Sequence, residues 1–306
     1  MKKFIKKTGI VFLAVLLIMA FFKNTSFENF QDKIGQVLRT DNVNQVKSGI
    51  YSSHMILVDI DTQKIICGKA IKEKTYPASL TKIMTAVVAI EKLSDLNEKV
   101  ILPESIFEKL YAENSSMAGF LPDEAVPARD LLYGTLLPSG GDAACALACH
   151  ISGSEEAFVK LMNKKATKLG MKNTKFINAT GLHDPEHFTT VEDMAVLLQY
   201  ALKNETFEKI FTAQKYSTSP SNRHNDGITF YSTLFQKIGS EQFKGGRIIG
   251  GKTGYTREAG LCLASLAEKE GERYILITTG ANGNLETAQY NISDAINIYT
   301  LYTKSQ

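Results

Sequence analysis

Strand-patterned segments stand at both ends of this chain and helix-patterned ones fill its middle, an order that restricts the fold more than any bulk property. Met55-Ile56-Leu57-Val58-Asp59-Ile60 is a short apolar run, Asp61-Thr62-Gln63 reads as a turn, and Lys64-Ile65-Ile66-Cys67 returns. Together they predict an antiparallel hairpin. Over 80–93 the apolar spacing becomes helical, with Ile83, Met84, Ala86, Val87 and Ile90 toward one side. The same spacing predicts helices over 131–137, 142–151, 155–169 and 191–202. Strand patterns come back at 248–253, 261–265 and 274–278, each followed by turn residues, and 288–301 closes the chain as a helix. Strands at both ends around a helical centre predict an α+β fold. One antiparallel sheet is built from both ends of the chain, with flanking helices and a helical subdomain.

Charge is distributed unevenly. The formal net charge is +3, but five lysines (Lys2, Lys3, Lys6, Lys7 and Lys23) lie in the first 23 residues, where there is no acid. Of 35 basic residues that leaves 30 against 32 acidic ones, so the body carries about −2. A body of that charge has no electrostatic footprint for nucleic acid. The four leading lysines precede an uncharged apolar run from Gly9 to Phe22. As a helix it spans roughly 21 Å, short of the ~30 Å hydrocarbon core and suited to the apolar region of a secretory signal. A cleavable signal needs small residues after that region, whereas this one ends Ala20-Phe21-Phe22-Lys23. The expectation is an uncleaved membrane anchor over 1–23, a polar stalk over 24–50 and a folded domain over 51–306. With basic residues retained inside, the body faces the extracytoplasmic side whether or not the segment is cleaved.

Four cysteines (Cys67, Cys145, Cys149 and Cys262) lie in apolar surroundings with no Cys-x-x-Cys pair, and the five histidines are scattered. That pattern implies no metal site and no cofactor. Buried free thiols are the simplest reading, although an exported location permits a disulfide, with Cys67 and Cys262 as one possible pair.

The chemistry-bearing residues fall in three segments. Pro77-Ala78-Ser79-Leu80-Thr81-Lys82 stands where a helix should begin, and on a helix Ser79 and Lys82 share a face. A serine hydroxyl needs a base to become a nucleophile, and a lysine serves only if its pKa is lowered by burial or a second cation. Pro138-Ser139-Gly140-Gly141-Asp142 places a serine on a tight turn ahead of a helix. Gly251-Lys252-Thr253-Gly254-Tyr255-Thr256 places a lysine and a threonine on a strand, with Gly254 permitting close approach by a ligand. Singly, each arises by chance. Ser-x-x-Lys, Ser-x-Gly and Lys-Thr-Gly in that order form a joint signature.

With these motifs the chain resembles the low-molecular-mass, serine-type penicillin-binding proteins that act as D-alanyl-D-alanine carboxypeptidases. The resemblance runs from about Met55 to about Thr300 and includes Tyr76 to Ala86, Asn178-Ala179-Thr180-Gly181-Leu182 with His187 downstream, and Gly251 to Gly260. It implies the transpeptidase-like α+β fold and an acyl-enzyme on Ser79, with Lys82 as general base and Ser139 relaying protons to the leaving D-alanine. By the same resemblance Lys252 helps hold Lys82 neutral and Thr253 binds the substrate carboxylate. The backbone N–H groups of Ser79 and Tyr255, beside Gly254, form the oxyanion hole. Arg223 is a second candidate for the carboxylate, with a solvated loop arginine as the alternative. The implied partners are peptidoglycan stem peptides ending in D-Ala-D-Ala, β-lactam antibiotics, and the membrane through the N-terminal segment.

One departure touches the site. The family usually has asparagine where this chain has Gly141, which removes a side-chain amide that contacts substrate and leaves a space that water can fill. Gly141 is the one feature that favours a non-catalytic wall-peptide or penicillin sensor. A β-lactamase, the other alternative, needs a glutamate to activate deacylating water, and Glu186 is the available residue.

Overall fold

A computed structural model of the protein describes residues 44–46 and 49–303. The expected anchor over 1–23 and most of the expected stalk lie outside the described residues. In chain order the elements begin with strands β1 (Asn44–Gln45), β2 (His54–Asp59) and β3 (Ile65–Lys69), then a 3-10 turn at Ala78–Leu80 leading directly into helix α1 (Thr81–Lys92). There follow β4 (Lys99–Ile101), α2 (Ser105–Ala112), β5 (Ala125–Pro127), α3 (Ala128–Leu136), α4 (Gly141–Ser152) and α5 (Glu155–Lys168). Then come α6 (Val191–Ala201), α7 (Glu205–Phe211), β6 (Lys215–Ser217), β7 (Thr229–Tyr231) and β8 (Gln242–Phe243). The long strands β9 (Gly246–Thr256), β10 (Gly260–Lys269) and β11 (Glu272–Ala281) precede the closing helix α8 (Tyr290–Tyr302).

The expected α+β architecture is found. The main sheet has the order β1-β3-β2-β11-β10-β9-β8, so strands from the two ends of the chain meet at its centre. Leu57 of β2 stands opposite Leu276 of β11 in an antiparallel ladder. β2 reads as a continuous apolar run because both its faces are covered, and Met55 to Val58 are fully buried. On one face α8 packs on β10 and β11, and Met55, Leu57, Leu263, Leu276, Ile298 and Tyr299 form the core between them. The other face carries α6, against β2 and β11, and behind it the helical subdomain around α1.

The burial of the first long helix differs from the expectation. Helix α1 is not buried along one side only, since every residue from Thr81 to Ala89 is buried. It runs through the centre of the subdomain among α4, α3, α5, α6 and α7, which explains apolar residues on all its faces. The free-thiol reading of the cysteines holds, and the alternative disulfide is excluded. All four are free. Cys67 is on β3 and Cys262 on β10, with β2 and β11 between them. Three strand spacings put them roughly 14 Å apart, about twice the reach of a disulfide. The sheet also begins earlier than 51, because Asn44 and Gln45 pair in parallel with Cys67 and Gly68. A two-residue strand is too short to show alternation in sequence.

One buried carboxylate ties the ends of the domain together. Asp294, on α8, accepts hydrogen bonds from the Tyr51 N–H (3.0 Å), the Ser52 N–H (2.7 Å) and the Ser52 hydroxyl (2.6 Å). The partners are 243 positions apart in sequence and Asp294 is fully buried. Asp294→Ala leaves at least two donors without an acceptor, so we expect a stability loss of about 2–4 kcal/mol. Urea unfolding should show a lower midpoint with an unchanged slope; an unchanged midpoint would remove Asp294 from this role.

Candidate active site

The local backbone sets the site before any side chain does. Pro77 and Ala78 bring the chain into the 3-10 turn, with Ala78 at φ +46°. Ser139 is likewise left-handed, at φ +67°. Non-glycine residues held there store roughly 1–3 kcal/mol each, and the cost is tolerated where the surroundings over-determine the geometry. Around Ser139 the surroundings do so. Asp142, at the start of α4, accepts the backbone N–H groups of Ala118, Gly119 and Phe120 at 2.8, 3.0 and 3.1 Å. The Ser116 hydroxyl donates to the Ser139 carbonyl at 2.8 Å, and the Gly141 N–H donates to the Ser116 carbonyl at 2.7 Å. The segment 115–120 is thereby fastened along the serine turn.

Lys82 follows Ser79 by three residues, and its Nζ lies 3.1 Å from the Ser79 Oγ. The same nitrogen donates to the Thr180 carbonyl at 2.7 Å. Lys82 is 1% exposed, and burial lowers its pKa to about 8, against opposing pulls from Cys145, Asp142 and Glu155. Lys252, fully buried on β9, is held well below the ordinary lysine range by burial and then by the neighbouring Lys82 charge. Two ammonium groups cannot share this space cheaply. The Ser139 Oγ is buried and, among the described residues, makes no hydrogen bond, so its hydroxyl is available to a reacting group.

Strand β9 supplies the opposite wall. β8 pairs only with Gly246 and Arg247, leaving the rest of that edge of β9 to the turn that carries Ser79. A Cβ on Gly254 would lie 3.1 Å from the Ser79 N and 3.2 Å from the Ala78 Cβ, so glycine is what lets the strand approach the nucleophile. Further along, the Thr253 hydroxyl meets the Thr233 hydroxyl at 2.7 Å, while the Thr233 N–H donates to the Leu137 carbonyl. Thr233 thus links β9 to the segment carrying Ser139. The resulting cleft, about 590 Å³, is lined by Ser79, Lys82, Ser115, Thr180, Tyr255 and Leu285 among others.

The third wall is the loop 178–182. The Asn178 Oδ1 accepts from the Thr180 N–H, the Thr180 hydroxyl and the Gly181 N–H, and its amide donates to the Leu182 carbonyl. This fold-back aims the Thr180 carbonyl at Lys82. His187 braces it from behind. The His187 Nδ1 accepts the Ile177 N–H at 3.3 Å, so Nε2 carries the proton and donates to the Thr81 hydroxyl at 2.9 Å. Burial lowers the His187 pKa to about 4, which keeps the ring neutral. Glu155 holds the same loop through the Ala179 N–H at 2.9 Å.

The sequence candidates divide. Ser79, Lys82 and Tyr255 line the cleft, Gly254 stands against the Ser79 backbone, Lys252 is near Lys82, and Thr253 is linked through Thr233 to the segment that carries Ser139. Arg223 stands apart: it sits on the β6–β7 connection with its guanidinium 3.9 Å from the exposed Asp123 carboxylate. The solvated alternative describes it. Gly141 is not a water-filled gap, because a Cβ there would overlap the Ser115 hydroxyl and lie 3.1 Å from Leu110. Glu186, which a β-lactamase would need at the site, pairs instead with Lys175 on the surface at 3.0 Å. Thr233, Asp142, Glu155 and Ser115 went unnoticed in sequence because each acts through a partner far along the chain.

Comparison with known proteins agrees with this geometry. The family model described as D-alanyl-D-alanine carboxypeptidase matches residues 40–283. The D-alanyl-D-alanine carboxypeptidase DacF of Bacillus subtilis is 38% identical over 232 residues, covering 74% of this chain and 57% of DacF. The chain therefore spans little more than half the length of that relative. DacB2 of Mycobacterium tuberculosis is 32% identical over 223 residues, 72% of each chain. The crystal structure of the Streptomyces K15 DD-transpeptidase superposes with a TM-score of 0.73 at 27% identity, over 83% of this chain and 97% of that one. Motif order, site geometry, sequence relatives and fold point the same way, and the chain belongs to the D-alanyl-D-alanine carboxypeptidase family.

Proposed function

We propose that the protein is a serine D-alanyl-D-alanine carboxypeptidase acting on peptidoglycan stem peptides, and that β-lactams acylate it at the same serine. The observation that carries this reading is the Lys82 Nζ, buried and 3.1 Å from the Ser79 Oγ with a pKa near 8. An extended peptide lies along the open edge of β9, which offers main-chain groups as a neighbouring strand would. Its terminal carboxylate meets the hydroxyls of Thr253 and Thr233 above the two buried lysines.

Neutral Lys82 takes the Ser79 proton as the Oγ attacks the carbonyl carbon of the penultimate D-alanine. The N–H groups of Ser79 and Tyr255 receive the oxyanion, and fixed donors of this kind supply a large share of catalysis. The proton passes through the Ser139 hydroxyl to the amine of the terminal D-alanine, the C–N bond breaks, and an ester on Ser79 remains. Water then attacks the ester, Lys82 takes its proton, and Ser79 is regenerated. A β-lactam follows the first half of this path, with its amide bond opening in place of the peptide bond. Placement outside the cell, with the N-terminal segment as a retained anchor, belongs to the same proposal; it rests on the four lysines ahead of the apolar run and on the bulky Phe21 and Phe22.

Purified protein should release D-alanine from a D-Ala-D-Ala pentapeptide and take one penicilloyl group per chain on Ser79, with both lost in Ser79→Ala. Penicillin uptake without D-alanine release would indicate a sensor instead. Because Lys82 acts as a base, the acylation rate should rise with pH by about tenfold per unit below pH 8 and level off above it. A rate that falls as pH rises toward 8 would exclude this assignment.

Gly254→Ala places a methyl group against the Ser79 N–H. It should slow acylation about 10–100-fold; wild-type acylation would remove that N–H from the oxyanion site. For the anchor, native protein should fractionate with membranes and keep its first 23 residues on N-terminal sequencing. A soluble mature form beginning between Ala20 and Gln31 would identify a cleaved signal.

A further inference from the structure

At one position beside the cleft the chain has no side chain, and a hydroxyl from another segment stands in that place. Gly141 is the third residue of the Ser139-Gly140-Gly141 turn, where the family usually has asparagine. A Cβ built on it would overlap the Ser115 Oγ, and the Ser115 Cβ lies 3.3 Å away. The Ser115 hydroxyl therefore stands over the Gly141 backbone, where a side chain at 141 would begin. Ser115 is half-buried and lines the cleft with Ser79, Lys82 and Tyr255.

Its hydroxyl has little else to do. Its hydrogen bond is a long one, 3.4 Å, to the carbonyl of the next residue, Ser116. That length is beyond the usual range, so the proton is free to be donated elsewhere. The backbone that carries it is held firmly. The Ser115 N–H donates to the Leu110 carbonyl at 2.9 Å, the Ser116 carbonyl accepts the Gly141 N–H at 2.7 Å, and the Ser116 hydroxyl binds the Ser139 carbonyl. A weakly engaged donor on a fixed backbone is suited to meeting a ligand with little ordering cost.

We propose that Ser115 is a substrate-positioning residue of this chain, its hydroxyl donating to a backbone carbonyl of the bound stem peptide in place of the side chain missing at Gly141. The proposal rests on the carboxypeptidase reading and adds a residue to it. The two positions are coupled sterically. Asparagine at 141 requires the Ser115 hydroxyl to turn away from its present position, which it holds because 141 is glycine. Loss of one such hydrogen bond corresponds to roughly a 2–13-fold change in affinity.

The test is a swap series assayed with a D-Ala-D-Ala pentapeptide. Ser115→Ala should lower kcat/KM about 3–10-fold, mostly through KM, with an unchanged melting temperature. Gly141→Asn alone should be worse than Ser115→Ala, because the new side chain meets the serine. The double variant Ser115→Gly/Gly141→Asn should recover activity relative to Gly141→Asn. Ser115→Ala within twofold of wild type would overturn the proposal, as would a loss confined to kcat or a double variant no better than Gly141→Asn. Should the wild type release no D-alanine, the carboxypeptidase reading is what fails. The same variants, ranked by the rate at which benzylpenicillin acylates Ser79, then decide the role of Ser115.

Discussion

The geometry of the site depends on a lysine kept where lysines are seldom found. Lys82 lies on the central helix of the subdomain, surrounded by α1's apolar neighbours, and its nitrogen is held by one main-chain carbonyl and one hydroxyl. An ammonium in such a place pays a desolvation cost that water does not relieve, and the group responds by giving up its proton more readily. Burial is what lowers its pKa, and much of the surrounding structure fixes where that nitrogen sits. The Asn178 fold-back supplies the carbonyl, His187 and Glu155 hold the loop that bears it, and Lys252, buried nearby, is held well below the ordinary lysine range by burial and by the Lys82 charge.

The order of strands and helices was legible in sequence because the long elements carry their periods openly. The runs at β2, β10 and β11 and the helices α1, α4, α5 and α6 are each long enough to show a repeat. The three-residue strands, together with α2 and α7, are not. The chemical motifs were legible for a different reason: Ser79 and Lys82 are neighbours on one turn of helix, and Lys252, Thr253 and Gly254 are consecutive. What sequence could not give was the meeting of distant segments. The Ser115 hydroxyl over Gly141 and the Thr233 hydroxyl against Thr253 are contacts between residues 26 and 20 positions apart that no local pattern encodes. Arg223 shows the converse error, since a suitable residue type in a suitable region proved to face a surface aspartate.

The left-handed backbones of Ala78 and Ser139 lie next to, or at, the groups that must move protons. Each is held by neighbours rather than by its own preference. Gly181 makes the first possible: at φ +85° it passes so close to the Ala78 carbonyl that any Cβ would overlap it. The carboxylate of Asp142 and the hydroxyl of Ser116 hold the second. Strain of this kind spends some folding energy on geometry, and the large, well-packed core on either side of the sheet makes it tolerable.

The central pairing of β2 with β11 also bears on how the domain is made. β2 emerges early in synthesis, yet the strand that covers its second edge lies near the other end of the chain, as does the Asp294 carboxylate that anchors its approach. Until that partner arrives, an unbroken apolar strand has an open edge, the kind of surface that invites pairing with another chain. Contacts of such long sequence separation also slow the search for the native state. A nascent molecule therefore passes through an interval in which the apolar run of β2 lacks the strand that covers its second edge.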